Sequence, residues 1–394
     1  MMRLLPIHVL RFPTVLLAML FVASCASQPP NVVSDLPRVQ QAFAQKIQAI
    51  DPGALGQELV EDHTRETFLY PDAEVVPTVV ASVETVPVTS TDDAADDPAI
   101  WIHPTHPLKS LILATDKKAG VGVYDLAGQQ VQFVPAGLPN NIDVRQGLSV
   151  GYWQGDLALT SNRADNTVTV FSVDATGAKI IGGFPVDVEP YGICMGILSG
   201  KPYGFVTYKN GRIEAYRFDA IAPEVIVSSA GVLDLETQLE GCVHHDQSNT
   251  LFIGEEEAGI WRLDTVATLN VFSTPASVDA IGAPTGLVAD VEGLAFYVKD
   301  DLEYLIASSQ GNDSYAVYDG RAPYAFRGRF RITTGDGIDG VQETDGLEVS
   351  GAAFGRVFPH GFLVVQDGFN APFGDSQNFK VIDWREIEAV LGLP

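Results

Sequence analysis

An all-β chain, folded as a six-bladed β-propeller behind a short N-terminal tether and helical extension, is what this sequence predicts. Three observations lead there. From about residue 75 the chain turns into short β-branched runs separated by turn residues. One unit, an apolar strand, a polar loop and a strand closing on a bulky residue, recurs six times. Its copies are "LILATDKKAGVGVYDL", "LALTSNRADNTVTVFSV", "GFVTYKNGRIEAYRF", "LFIGEEEAGIWRL", "YLIASSQGNDSYAVYD" and "FLVVQDGFN…NFKVIDW", closing on Tyr124, Phe171, Tyr216, Trp261, Tyr318 and Ile382. A second unit precedes each copy: "DDPAIWI", "NIDVRQG", "EPYGICM", "QLEGCVH", "DVEGLAF" and "ETDGLEV". Two registered repeats of roughly 45 to 60 residues, several strands each, mean propeller blades rather than a sandwich.

The segments ahead of the repeats read differently. Residues 1–24 carry Arg3 and Arg11 before the apolar run "PTVLLAMLFVAS", the layout of an export signal too short to span a bilayer comfortably. It ends in "VASC", Val22 to Cys25, which resembles a bacterial lipoprotein box, with Cys25 as the lipidated residue. An ordinary cleaved signal is the alternative. Ala26 after Cys25 leans toward an outer-membrane or cell-surface lipoprotein. Residues 25–84 form the extension: "SQPPNVVSDLP" is a tether, and Val39, Phe43, Ile47 and Ile50 have helical spacing up to Asp51-Pro52-Gly53. Residues 85–394 are the propeller. Cys194 and Cys242 either pair, as an exported protein permits, or stand as two small buried thiols.

Charge narrows the partners. The 394 residues carry a formal net charge of -26, so nucleic acid and anionic membrane surfaces are excluded as partners of the whole chain, and a membrane is reached only through the anchor. In a propeller the innermost strand of each blade runs along the central channel. The slot that opens it holds Asp97, Asp143, Tyr191, Glu240, Glu292 and Asp345, and the second copy fits least well because no Gly follows Asp143. The loop between the second and third strands returns to the same face. One rim therefore collects the slot acids with Glu255 and Glu256, a repulsion that a hard cation such as calcium relieves. The same rim collects Lys117, Lys118 and Lys209, with Arg145 beside a slot, in a chain holding only 24 Lys and Arg. Such bases grip phosphate or carboxylate oxygens. Metal and bases together fit a polyanionic phosphate. No phosphate-cradling Gly loop and no nucleophile elbow is present. His244 and His245 in "VHHD" read as an exposed strand-end pair, and His103 and His106 as loop residues.

Taken together, "DDAADDPAIWIHP", "TDKKAGVGVYDL", "NNIDVR", "EPYGICM", "LFIGEEEAGIW", "DVEGLAFY", "SSQGND", "ETDGLEV" and "VVQDG" resemble the calcium-dependent β-propeller phytases over about residues 85–394. The resemblance implies six blades and stepwise release of phosphate from phytate or calcium-phytate by direct attack of water, with several calcium ions between enzyme carboxylates and substrate. It also implies roles. Lys117, Lys118, Arg145 and Lys209, with the Tyr191 hydroxyl, would bind phosphate, and Lys117, Arg145, Tyr191, Lys209 and Glu240 would carry catalysis. Asp96, Asp97, Glu240, Glu256, Glu292 and Asp345 would bind calcium, while Gln310, Asn312 and Asp367 would hold loops or structural calcium. Asn210, "VHHD" and Glu343 depart from the family pattern and bear on calcium number. A monomer is expected. Two other readings stay open: a lipoprotein that captures calcium-phosphate esters without turnover, and another six-bladed hydrolase such as a lactonase, which would lack clustered lysines.

Overall fold

The structure, a computed structural model, describes residues 76–370 and 376–394. The signal segment, Cys25, the tether and the 39–50 helical pattern lie outside the described residues. Six sheets stand side by side, each an antiparallel meander. Blade 1 is β3 (Ala95–Trp101), β4 (Leu111–Asp116), β5 (Gly120–Asp125) and β6 (Gln130–Pro135). Blade 2 is β7 (Pro139–Val150), β8 (Trp153–Asn162), β9 (Thr167–Asp174) and β10 (Gly177–Pro185). Blade 3 is β11 (Ile193–Leu198), β12 (Lys201–Thr207), β13 (Arg212–Ala220) and β14 (Ile226–Asp234). Blade 4 is β15 (Leu239–His245), β16 (Thr250–Glu255), β17 (Gly259–Asp264) and β18 (Ala276–Ala280). Blade 5 is β19 (Leu294–Lys299), β20 (Leu302–Ser309), β21 (Ser314–Asp319) and β22 (Phe326–Thr333). Blade 6 has β23 (Leu347–Ser350), β24 (Phe362–Asp367) and β25 (Asn378–Asp383).

The beginning of the chain completes its end. β2 (Val83–Glu84) pairs with β25 as the outer strand of blade 6, and β1 (Thr78–Val80) runs parallel to β22 as a fifth strand of blade 5. Chain in the propeller thus starts at Thr78, ahead of the residue 85 boundary read from the repeats, because two short strands carry too little pattern to register. The inner strands pack in a closed ring, β3 against β7, then β11, β15, β19 and β23, and β23 back against β3.

Each gap between blades holds its own apolar core. Leu113, Val123, Ala158 and Phe171 fill the gap between blades 1 and 2, and Tyr297, Ile306, Leu363 and Trp384 that between blades 5 and 6. Blades covered on both faces explain the unbroken apolar runs: β4 is buried at every residue, whereas the outer β6 is half-buried to exposed. Fully burying each such side chain stabilises the ring by about 1.5–3 kcal/mol. Helix α1 (Trp384–Leu391) closes the chain, with the Asp383 carboxylate accepting the Arg385 N–H at its start and Trp384 stacked on Tyr297 at 3.9 Å. Cys194 and Cys242 form a disulfide with Cα atoms 5.6 Å apart, tying the inner strands of blades 3 and 4.

Candidate metal and phosphate site

Register defines the slot better than spacing does. In β3, β7 and β15 a bulge places two residues against one on the next strand: Asp96-Asp97, Asn140-Asn141 and Glu240-Gly241. In blades 3, 5 and 6 a glycine, Gly192, Gly293 or Gly346, accepts from the second strand through its carbonyl, and Tyr191, Glu292 or Asp345 precedes it. The ring of six is therefore Asp96, Asn140, Tyr191, Glu240, Glu292 and Asp345. Asp97 and Asp143 do not belong to it. Asp97 occupies the glycine position, and its Oδ2 accepts the Ile142 N–H of the next blade at 2.9 Å. Asp143 lies farther along β7 and accepts from Met195 N–H and Arg145. The glycines have a steric cause: a Cβ on Gly192 would lie 2.0 Å from the Glu240 carbonyl oxygen, and one on Gly241 1.8 Å from that of Glu292.

These acids meet. Ligand oxygens of Asp96, Glu240 and Asp345 lie within 4.8 Å of one another, as do those of Glu240, Glu256 and Glu292, so Glu240 belongs to both groups. All are buried. Burial, with Asp345 alongside, pushes Asp96 up to about 7, and burial pushes Glu256 up to about 7. Burial first, then Asp345, holds Glu240 and Glu292 above the usual carboxylate range. Both Asp96 oxygens and Glu240 Oε2 have no hydrogen-bond partner. Buried, under-satisfied carboxylate oxygens at this spacing fit a hard cation such as calcium. Amides hold the others in place: Asn140 donates to Glu240 at 2.6 Å, Gln238 to Glu256 at 2.6 Å, and Gln310 to Glu292 at 2.7 Å. Gln310 thus orients a cluster acid. Asn312 holds a loop by donating to Gly286, and Asp367 pairs with the buried Lys380 at 2.8 Å.

A second ring follows from backbone hydrogen bonds. The N–H groups of Lys117, Arg163, Glu256, Gln310 and Gly368 donate to Ala94, Leu138, Gln238, Asp290 and Gln342, the same bond in five blades, and Lys209 holds this place in the blade 3 loop. Lys117 Nζ lies 2.6 Å from Asp93, 3.3 Å from Asp96 and 3.4 Å from Asp345. Burial works against its charge, but Asp345, Asp96 and Asp93 outweigh it and raise its pKa. Lys209 Nζ sits 4.2 Å above the Tyr191 ring. Lys118 is turned outward to the Thr91 carbonyl and Asp92.

The third base is Arg163, not Arg145. Arg163 approaches the Lys117 carbonyl at 3.4 Å, lowers the Asp96 pKa, and keeps a buried Nε without a partner. Its place in "SNRADN" matches Lys117 in "TDKKAG", the one signal that could have found it. Arg145 lies down the channel toward the opposite mouth, bound to Asp143 at 2.9 Å, Asp246 at 3.5 Å and the His244 carbonyl. Beyond a bulge, strand position no longer reports which mouth a side chain faces. His244 and His245 end β15 but are buried, His244 between Asp246 and Thr265 and His245 stacked on Phe296 at 4.2 Å.

In blades 1, 2, 4 and 6 the residue ahead of the rim position braces a loop. Glu255 Oε1 accepts from Glu236 N–H, Thr237 N–H and Thr237 Oγ1, and its Oε2 from Trp261. Asp116 accepts from Ser90 N–H, Asn162 from Leu138 N–H, and Asp367 from Gln342 N–H. So of the three consecutive glutamates, Glu255 is structural rather than a channel acid, Glu256 faces the cluster, and Glu257 is exposed. Asn210 stays on the surface, its Oδ1 accepting from Arg212 N–H, outside both acid groups. At the mouth lies a cavity of about 500 Å³ lined by Asp93, Lys117, Tyr191, Glu292, Glu343 and Asp345, among others.

Comparison with known proteins agrees with this geometry. The family model described as Phytase matches residues 61–393. The chain is 37% identical over 331 residues to the 3-phytase of Bacillus subtilis (strain 168), covering 80% of this chain and 85% of that protein. Among solved structures it overlays distantly on BBS1N in complex with ARL6DN, soaked with lead (TM-score 0.44, 12% identity, 72% of this chain and 77% of that chain). A functionally unknown protein from Desulfotomaculum acetoxidans DSM 771 gives a TM-score of 0.41 at 14% identity, covering 58% of this chain and 69% of that chain. Neither overlay carries any part of the assignment. With the family matched over nearly the whole propeller and a relative of this identity, the chain belongs to the phytase family.

Proposed function

We propose that this phytase releases phosphate stepwise from phytate in a calcium-dependent reaction, as a monomeric lipoprotein exported and anchored through Cys25. The observation carrying the catalytic reading is that one opening joins two groups of buried carboxylates fit for a hard cation to Lys117, Arg163 and Lys209. A lactonase needs no such cluster of bases; a protein that captures calcium-phosphate esters without turnover would use them too, and phosphate release separates it from the enzyme.

The residues divide the work. Lys117, Arg163 and Lys209 hold the oxygens of the phosphate to be cleaved and compensate its charge. Burial, with Glu240 next, raises the Tyr191 pKa, so its hydroxyl stays protonated and donates to a phosphate oxygen. Asp96, Glu240, Glu256, Glu292 and Asp345 would hold calcium, which when bound supplies neutralisation of phosphate charge, polarisation of the P–O bond and activation of water. The oxygen of water bonds to phosphorus as the bond from phosphorus to the inositol oxygen breaks, and the proton that the water gives up is balanced by the one that the leaving inositol oxygen takes up. The held phosphate is thereby positioned for in-line displacement.

Phosphate release from phytate, measured with calcium and then with a calcium chelator, tests the reading. Release in the first case and none in the second is expected; release unchanged by complete calcium removal would overturn it. Binding of calcium and phytate without release would instead establish the capture protein. For the anchor, Cys25→Ser should free the protein from membranes, and unchanged membrane association would exclude the lipid.

A further inference from the structure

Lys117 is to grip phosphate, yet three carboxylates already surround its ammonium: Asp93 at 2.6 Å, Asp96 at 3.3 Å and Asp345 at 3.4 Å. The three partners differ. Asp96 and Asp345 have side chains 1% and 9% exposed and belong to the acid group that fits calcium. Asp93 is 77% exposed, lies outside both acid groups, and has Lys117 as its one ion-pair partner among the described residues. It also lines the mouth cavity. Its loop is pinned on either side, by Ser90 N–H to Asp116 and by Ala94 N–H to Gln377. Asp93 can therefore leave Lys117 by turning its own side chain, without unfolding the loop.

We infer that Asp93 is a built-in competitor for the phosphate seat, a tethered carboxylate that neutralises Lys117 in the empty site and must be displaced by each incoming phosphate or phosphate ester. This rests on the proposed phosphate-binding role of Lys117 and adds to it a residue that sets affinity rather than chemistry. A carboxylate presents two anionic oxygens, as the edge of a phosphate does, so the two exclude each other at one ammonium. If Asp93 is seated about nine-tenths of the time, apparent phosphate affinity is about tenfold below the intrinsic value. The same competition speeds release of inorganic phosphate, which keeps a stepwise enzyme from stalling on its product.

The test is calorimetric titration of inorganic phosphate into the calcium-loaded protein and its Asp93→Asn variant. Asp165→Asn, which removes one charge from the neighbouring blade 2 loop without touching Lys117, is the control. Asp93→Asn should bind phosphate roughly three- to tenfold more tightly, with a matching fall in the KM for phytate and an unchanged calcium dissociation constant. Weaker phosphate binding, a loss of calcium affinity, or an equal shift in Asp165→Asn would overturn the inference. Failure of both wild type and variant to bind phosphate would overturn it too. Because binding is read without turnover, a protein that binds phosphate but never hydrolyses phytate would sink the proposed function and leave this result standing.

Discussion

Blades 1–3 and blades 4–6 present the same two positions to the rim and fill them differently, with cations in the loop position of the first half and a carboxylate in every slot of the second. At the position after the second strand, the first half carries Lys117, Arg163 and Lys209, the second Glu256, Gln310 and Gly368. In the slot, the first half has Asp96, Asn140 and Tyr191, the second Glu240, Glu292 and Asp345. Backbone geometry is shared, so the division of labour lies in side chains alone. On the proposed function, one half would grip the anion and the other would concentrate carboxylates for a metal. Lys117 stands on the seam, since blade 1 meets blade 6 there and its ammonium reaches Asp345.

The strongest way to break the acidic half is through Glu240, which both acid groups share. Glu240→Ala should cut phosphate release by more than about 1,000-fold, since the metal contributes several kcal/mol to transition-state stabilisation, and calorimetry should register fewer bound calcium ions. A variant with full calcium stoichiometry would show that the two groups are independent sites. The cationic half is sharpened next by a paired substitution. Arg163→Ala should raise the KM for phytate roughly 10- to 100-fold, the scale of a charge-assisted hydrogen bond, while Arg145→Ala should leave KM nearly unchanged and lower stability, because it strips Asp143 of its cation. The reverse result would return Arg145 to the substrate face.

Protonation distinguishes the halves again. In the metal-free protein Asp96 and Glu256 are pushed up to about 7, against about 4 in an unfolded chain. Between those values the folded state holds more protons than the unfolded state, so metal-free stability falls as pH rises from about 4 through about 7. Calcium held by these acids would take the deprotonated carboxylates and displace those protons, so calcium affinity should fall as pH drops below about 7, by up to about tenfold per pH unit for each proton displaced. Melting temperature with and without calcium at pH 6 and pH 8 checks this: the calcium-induced rise should be larger at pH 8, and an equal rise would mean that these acids do not hold the metal.

How much of this the sequence disclosed follows the same division. Blade number and inner strands were legible because each gap between blades needs its own apolar strand pair, which repeats. The slot was legible in blades 3–6, where a glycine must follow it to clear the next blade's carbonyl. It was displaced in blades 1 and 2, where Asp97 and Asn141 take the place of the glycine that marks it in the other blades. Arg163 was overlooked for want of a lysine pair beside it, although its loop position matches that of Lys117. Arg145 was overvalued because nearness to a slot in sequence says nothing about depth along the channel.

The smallest effects concern the glutamate triplet, where neighbours in sequence part most in role. Glu255 braces a loop: removing its carboxylate orphans the Glu236 and Thr237 N–H groups and the Trp261 indole N–H. Glu255→Ala should lower stability by about 1–3 kcal/mol, measured by urea denaturation, and should loosen Gln238, which lies one residue past the braced pair and carries Glu256. Some loss of calcium affinity should therefore accompany the loss of stability, although Glu255 itself lies outside both acid groups. Glu257 is exposed and outside them too, so Glu257→Ala should stay within about 0.5 kcal/mol of wild type with calcium affinity intact. Should Glu257→Ala weaken calcium binding as much as Glu255→Ala does, the brace would not be what places Glu256, and long-range charge across the rim would be the better account of how the acidic half holds its metal.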